Sequence, residues 1–171
     1  SSVVSPGWWK RVHWSSSNVL MGIVIAAALW AVFWVGDKAS TWLFDFARPQ
    51  VNLIYGMKEG ENPWLLSCLL LFLIGPAEEI FWRGYVQEKL SRRYSPNMGF
   101  VLVTACYTSV HIASFNFMLI MASLVCGLAW GLLYRLFPNR FFAIILSHAL
   151  WDAAVLLCFS TAKNHSPIRP I

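Results

Sequence analysis

Residues 63–94 read PWLLSCLLLFLIGPAEEIFWRGYVQEKLSRRY, and this stretch decides the fold. An almost wholly apolar run follows Pro63 and leads into two adjacent carboxylates, Glu78 and Glu79. Proline suits the first turn of a helix, because the amide hydrogen that it lacks has no partner there. The pattern predicts a membrane-spanning helix that begins at Pro63 and continues past Pro76, where the proline is expected to kink it.

The composition of the whole chain also indicates a membrane protein. Of its 171 residues, 58% are hydrophobic and only 12% are charged, whereas charged residues make up about a quarter of a soluble domain. The mean hydropathy is +0.57, and the ten tryptophans suit a membrane interface. We therefore predict an all-α, polytopic helical membrane protein, folded as a single transmembrane domain over residues 1–171.

About five transmembrane helices are predicted, arranged around a polar central cavity. Residues 1–16 resemble an interfacial anchor, residues 37–62 a connecting loop with interfacial pieces, and residues 161–171 a polar tail. Residues 63–160 form the helical core that carries the chemistry. The predicted spans cover residues 18–35, 63–94, 98–112, 117–137 and 141–160.

The net charge of +5 does not indicate nucleic-acid binding, because the basic residues are scattered between apolar runs. Such a pattern is typical of loops that lie against anionic lipid headgroups. We predict membrane lipid as a partner and no nucleic acid. Basic clusters at residues 10–11, 89–93 and 135–140 fall on one side of the membrane if five spans alternate, which predicts a cytoplasmic N-terminus.

Six Asp, Glu, Arg and His side chains lie within the predicted spans, apart from the charged residues at the C-terminal ends of the spans 63–94 and 117–137. On insertion scales an ionisable residue at the centre of a membrane costs roughly 2.5–3.5 kcal/mol, so such residues usually face a polar interior and have a function. We expect all of them to face one central site. They are Glu78, Glu79, Arg83, His111, His148 and Asp152.

The spacing of these residues predicts two local pairs. Glu79 and Arg83 are four residues apart and can form a salt bridge on one helix face. Glu78 points about 100° away from Glu79, so it is free to act elsewhere. His148 and Asp152 are also four apart and converge on one face. Each pair also has a purely structural explanation. The glutamates and Arg83 could form a charged cluster near a helix end, and His148 and Asp152 could form a hydrogen-bonded pair that only ties helices together.

A carboxylate and an imidazole can activate water as a general base, and a second imidazole can stabilise an oxyanion. The same side chains could instead hold a divalent metal such as zinc. Both routes lead to hydrolysis of an acyl bond. The sequence contains neither the HExxH motif of zinc proteases nor the Gly-x-Ser-x-Gly motif of serine hydrolases.

Three short motifs carry a family resemblance. They read EEIFWR at residues 78–83, YTSVH at residues 107–111 and HALWD at residues 148–152. In this order, on successive hydrophobic helices, they resemble the CPBP intramembrane proteases, also called the Abi or CAAX type II prenyl endopeptidase family. That family is marked by Glu-Glu-x-x-x-Arg, aromatic-x-x-x-His and His-x-x-x-Asn/Asp motifs. The resemblance covers about residues 60–160.

The resemblance implies that Glu78 with His111 activates a water molecule. It implies that His148 with Asp152 stabilises the oxyanion or helps to hold a metal. Tyr107 departs from the pattern, because the family often has Phe there. Asp152 stands where the prenyl proteases have Asn, although bacterial members often carry Asp. An ionised Asp cannot donate to an oxyanion, so Asp152 would be protonated, orient His148 or bind metal. The implied supporting residues are Glu79 and Arg83.

The resulting hypothesis is an intramembrane endopeptidase that acts on a membrane-associated peptide or protein, prenylated or not, in the bacterial cytoplasmic (inner) membrane. Its water would be activated by Glu and His, with or without a metal. The alternative is a non-catalytic immunity or scaffold protein of the same family. A small proton-coupled transporter is disfavoured, because the chain has no inverted repeat.

Overall fold

A computed structural model describes residues 8–56 and 61–163, and within these ranges every regular element is helical. Short 3-10 turns precede the first helix and link the later ones. The six main helices are α1 (Ser16–Leu43), α2 (Ala47–Gly56), α3 (Pro63–Arg93), α4 (Pro96–Val110), α5 (Phe117–Leu136) and α6 (Phe141–Lys163).

Four helical stretches of the described chain are long and apolar enough to cross a membrane: Ser16–Leu43, Pro63–Arg93, Phe117–Leu136 and Pro138–Leu157. With 15 residues, α4 is about 22 Å long, which is short of the ~30 Å hydrocarbon core. The predicted all-α, polytopic membrane fold is confirmed. The predicted number of about five spans is approximate, since it counts the shorter α4 with the four long helices.

Side-chain caps fix where the helices begin. The Asn62 side chain accepts the backbone N–H of Trp64 at 3.0 Å, and Pro63 occupies the first turn of α3. The Ser95 hydroxyl accepts the N–H of Met98 at 3.1 Å at the start of α4. These caps satisfy amides that have no partner within the helix. The predicted start of α3 at Pro63 is therefore confirmed, whereas α4 starts at Pro96, two residues before the predicted span of residues 98–112.

The first helix is longer than predicted. Gly36, Asp37 and Lys38 were expected to end it, but α1 continues to Leu43. The hydroxyl of Thr41 donates to the Asp37 backbone carbonyl at 2.6 Å, and Arg48 pairs with the Asp37 carboxylate at 3.1 Å. These polar groups support the helix where it leaves the apolar region, so the sequence signal of charge and glycine did not end it.

The predicted loop and tail are also partly helical. Residues 47–56 of the predicted loop form α2, and α6 extends to Lys163, inside the predicted tail. Parts of the predicted anchor, loop and tail, residues 1–7, 57–60 and 164–171, lie outside the described residues.

Helix α3 passes Pro76 without interruption. Two π-helical segments, Leu70–Ile74 and Ile80–Gln87, lie on either side of an α-helical segment that contains the proline. The Gly75 amide bonds to the Leu70 carbonyl, five residues back. Proline removes a helical hydrogen bond and crowds the preceding turn, and a wider π turn re-pairs the backbone there.

Helix α6 packs against both α1 and α3, while α4 packs against α5 and the end of α3. Large apolar side chains such as Trp42 and Phe72 remain exposed on the outer faces, as expected for surfaces that contact lipid. The buried core cluster comprises Leu29, Tyr107, Cys126, Trp130, Tyr134, Phe141, Ile144 and Ile145.

Polar contacts join the basic segments at one end of the helices. Arg11 pairs with Glu88 at 2.9 Å, and Arg140 donates to the Asn18 side chain at 2.9 Å. Arg135 donates to the Asn97 side chain. The basic clusters of the predicted topology therefore lie at the same end of the fold.

Two glycines allow close helix contact. A Cβ atom at Gly75 would lie 3.0 Å from the Cα of Ala149, so α3 and α6 touch backbone to backbone there. A Cβ atom at Gly127 would lie 3.2 Å from the Tyr107 ring. The Gly127-x-x-x-Gly131 spacing is typical of such close helix packing.

We expect Gly75→Ala to lower the free energy of unfolding by about 1–3 kcal/mol, because the added methyl group meets backbone that cannot move aside. Thermal unfolding in detergent, followed by tryptophan fluorescence, measures the change. Gly36→Ala is the matched control, since a Cβ atom there meets nothing within 4 Å. An equal stability of the two variants would contradict the close contact between α3 and α6.

Candidate active site

The candidate site forms where the middle of α3 faces the first half of α6. Helix α3 contributes the first motif and α6 the third. The backbone contact between Gly75 and Ala149 lies one helical turn before Glu79 and one residue after His148. Close approach at that point brings side chains of the two helices within hydrogen-bonding distance of each other.

Glu79 is the centre of the cluster. One carboxylate oxygen, Oε1, accepts from Arg83 Nη1 at 2.8 Å and from His148 Nδ1 at 2.7 Å. The exposed fraction of all three side chains is 3% or less. The predicted pairing of Glu79 with Arg83 is confirmed. Glu79 is fully buried in the middle of α3, so the alternative of a charged cluster near a helix end is wrong.

The second nitrogen of His148 faces two further carboxylates. Nε2 lies 3.4 Å from Asp152 Oδ2 and 3.9 Å from Glu78 Oε2. The predicted convergence of His148 and Asp152 on one face is confirmed. Because Glu79 is paired with Arg83 and accepts at Oε1, the His148 Nδ1–H is the donor to it. This contact fixes the ring and directs Nε2 towards Glu78 and Asp152.

Exposure divides the cluster into an inner and an outer part. The Glu78 side chain is 40% exposed and that of Asp152 is 18% exposed. Both lie on the Nε2 side of His148, away from the buried Glu79. Glu78 and Asp152 are therefore the more accessible members of the cluster, while Glu79 and Arg83 support them from behind.

His111 reaches the cluster through Tyr107. Its Nδ1 lies 2.8 Å from the Tyr107 backbone oxygen, and the two rings are 5.1 Å apart. A carbonyl oxygen only accepts, so Nδ1–H donates and a neutral ring keeps Nε2 as an acceptor. The Tyr107 hydroxyl lies 3.5 Å from Glu78 Oε2. The predicted site residues thus gather at one place, with His111 at its edge.

Trp130 of α5 is a site residue that the sequence did not reveal. Its ring stacks on His148 with centroids 3.8 Å apart and planes at 15°. Its Nε1–H donates to the Ser147 hydroxyl at 3.1 Å, which locks the indole. The side chain is completely buried. Trp130 belongs to none of the three motifs, and only its place inside the Gly127-x-x-x-Gly131 segment hinted at close packing.

The residues predicted to hold a metal do not form a ligand set here. Among the described residues, no group of three or more His, Cys, Asp or Glu side chains is arranged to hold a metal ion. Nδ1 of His148 contacts Glu79 and Nδ1 of His111 contacts a backbone carbonyl, so Nε2 is the nitrogen of each ring that is left to meet a ligand.

A family model described as type II CAAX prenyl endopeptidase Rce1-like matches residues 60–154. This is 95 of the 171 residues, more than half of the chain. The chain belongs to this family of membrane proteases, and the matched range contains all six predicted site residues. Membership implies a membrane-associated peptide as substrate. Searches of curated proteins and of solved structures found no match.

We expect Arg83→Met to lower the free energy of unfolding by about 3–5 kcal/mol, because it leaves a buried carboxylate without its cation. Arg48→Met is the matched control. It removes the same group from the Asp37 pair, whose side chains are 41% and 26% exposed, and should cost at most about 1 kcal/mol. Chemical unfolding in mixed micelles gives both values. Equal losses would show that burial of the Glu79 pair has no energetic weight.

Proposed function

We propose that the protein is an intramembrane endopeptidase that hydrolyses a peptide bond with water activated by Glu78. One observation carries the proposal. The accessible carboxylate of Glu78 lies 3.9 Å from Nε2 of His148, next to the buried ion pair of Glu79 with Arg83. A group that only tied helices together would need no accessible carboxylate beside it. Membership of a protease family supports the same reaction.

Glu78 is the proposed general base. Its carboxylate accepts a proton from water while the water oxygen attacks the carbonyl carbon of the peptide bond. His111 assists from the edge of the site, where its Nε2 can accept from the same water. When the tetrahedral intermediate collapses, Glu78 returns the proton to the leaving nitrogen. The products are a new carboxyl end and a new amine.

His148 is the proposed oxyanion donor. Glu79 accepts the hydrogen bond from the Nδ1–H of His148. A second proton, on Nε2, therefore makes the ring an imidazolium that can donate to the forming oxyanion. Asp152, 3.4 Å from Nε2, orients the ring and balances its charge. Trp130 stacks on its face, which favours a cationic ring. This assigns Asp152 an orienting role, consistent with a residue that cannot donate when ionised.

The proposed substrate is a peptide or protein held at the membrane, with a prenylated C-terminal segment as the first candidate because of the family. The basic end of the fold is proposed to face the cytoplasm, following the rule for Lys and Arg in short loops. The bacterial cytoplasmic membrane is the proposed location. A lipidated substrate would meet the site within the plane of the bilayer.

Peptide cleavage by the purified protein in detergent tests the proposal. Fluorogenic peptides, prenylated and unprenylated, are incubated with wild type, Glu78→Gln and His148→Ala, each with and without chelator. We expect Glu78→Gln to lower kcat by roughly 10²–10⁴-fold, the usual contribution of a general base. Glu61→Gln is the control, because Glu61 is exposed and lies outside the site, and it should cleave like wild type.

The outcomes separate the candidate functions. Intact peptides after incubation with folded wild-type protein, lipidated peptides included, would reject the peptidase and favour the scaffold. Cleavage that survives both site substitutions would mean that the reaction occurs elsewhere. Loss of cleavage with chelator, restored by zinc, would reject the metal-free mechanism while keeping the peptidase.

A further inference from the structure

Tyr107 is the side chain that links the two halves of the site. It is only 5% exposed and is the first residue of the second motif, one helical turn before His111. Arg83 lies over its ring, with the guanidinium carbon 4.9 Å from the centroid. Trp82 packs edge-on against the ring at 5.4 Å. The ring is therefore fixed on several sides.

The close approach of α5 leaves the ring little freedom. A Cβ atom at Gly127 would lie 3.2 Å from Tyr107 Cδ1, so the α5 backbone borders the ring directly. The neighbouring Thr104 hydroxyl donates to the Gly127 carbonyl at 3.3 Å, which ties the two helices together. A phenol held in this way presents its hydroxyl at one place.

That place is beside the proposed base. The hydroxyl is 3.5 Å from Glu78 Oε2, which is longer than the usual range of about 2.5–3.0 Å for an O–H···O hydrogen bond. Such contacts at catalytic sites often tighten once substrate is bound. A hydrogen bond from the hydroxyl favours the charged carboxylate over the neutral acid. It also occupies one oxygen, so the other oxygen remains for water.

We propose that Tyr107 is a positioning residue for Glu78, which acts through its hydroxyl, and for His111, which acts through its backbone carbonyl. The inference rests on the proposed function, since it assumes that Glu78 is the base. Its content is distinct: one residue sets the orientation of the carboxylate and the tautomer of the second histidine. The two groups proposed to share the water therefore have a common support.

A purely structural role is the competing explanation, and it makes a different prediction. If only the ring mattered, removing the hydroxyl would leave its contacts with Arg83, Trp82 and Gly127 in place, and activity would stay unchanged. If the hydroxyl holds Glu78, its removal must affect turnover. The effect must also depend on pH, because the hydrogen bond acts on the charged form of the base.

The test compares Tyr107→Phe with wild type on the peptide that wild type cleaves best, as full kinetics across pH. We expect kcat to fall roughly tenfold, as for the loss of a hydrogen bond to a charged group, with KM nearly unchanged. The acidic limb of the kcat/KM profile should move to higher pH, because a carboxylate without this donor binds its proton more readily.

Tyr134→Phe is the matched control. Tyr134 is also buried, and its hydroxyl also contacts a carboxylate, that of Glu88 at 3.3 Å, but at the basic end of the fold. Tyr134→Phe also removes one phenol hydroxyl, but it should leave kcat and the pH profile unchanged. Melting temperatures of both variants in detergent show whether either fold is weakened.

The outcomes keep this inference apart from the proposed function. Wild-type kinetics and an unmoved pH profile in Tyr107→Phe, while Glu78→Gln is inactive, would overturn the role of Tyr107 and leave the peptidase standing. A fall in kcat that follows a loss of thermal stability, with an unmoved acidic limb, would also overturn it. Inactive wild-type protein would remove both, through the failure of the function itself.

Discussion

The fold depends on one buried contact. A single carboxylate oxygen of Glu79 accepts hydrogen bonds from both Arg83 and His148. Taking a carboxylate, a guanidinium and an imidazole out of water is costly, and the cost is offset only while all three remain in contact. Arg83 comes from the same helix as Glu79, but His148 comes from α6. The contact therefore holds α3 and α6 in one register, and the backbone approach at Gly75 makes that register reachable.

The same contact explains how the site combines rigidity with access. Its buried members are fixed by charge and by the stacking of Trp130 on His148. Its exposed members, Glu78 and Asp152, project from the same helices one position or one turn away. Catalytic groups need a firm support and an open side, and adjacent positions on a helix supply both, because successive side chains point about 100° apart.

Local spacing made much of this predictable. Residues four apart share a helix face, so the pairs of Glu79 with Arg83 and of His148 with Asp152 followed from the sequence, as did the start of α3 at Pro63. Contacts that depend on how helices rotate against each other did not. Trp130 and the link from Tyr107 to Glu78 belong to this class. The extension of α1 was missed because polar contacts of Thr41 and Arg48 sustain a helix past a glycine and two charges.

The packing of α1 against α6 also has a consequence for assembly. Gly22 of α1 meets Ala143 of α6, more than a hundred residues further along the chain. Until α6 has been made, α1 therefore lacks its main packing partner. Since α6 also delivers His148 and Asp152, the event that gives α1 its neighbour is the event that completes the site. A half-made chain therefore lacks both its final packing and its full set of reactive groups.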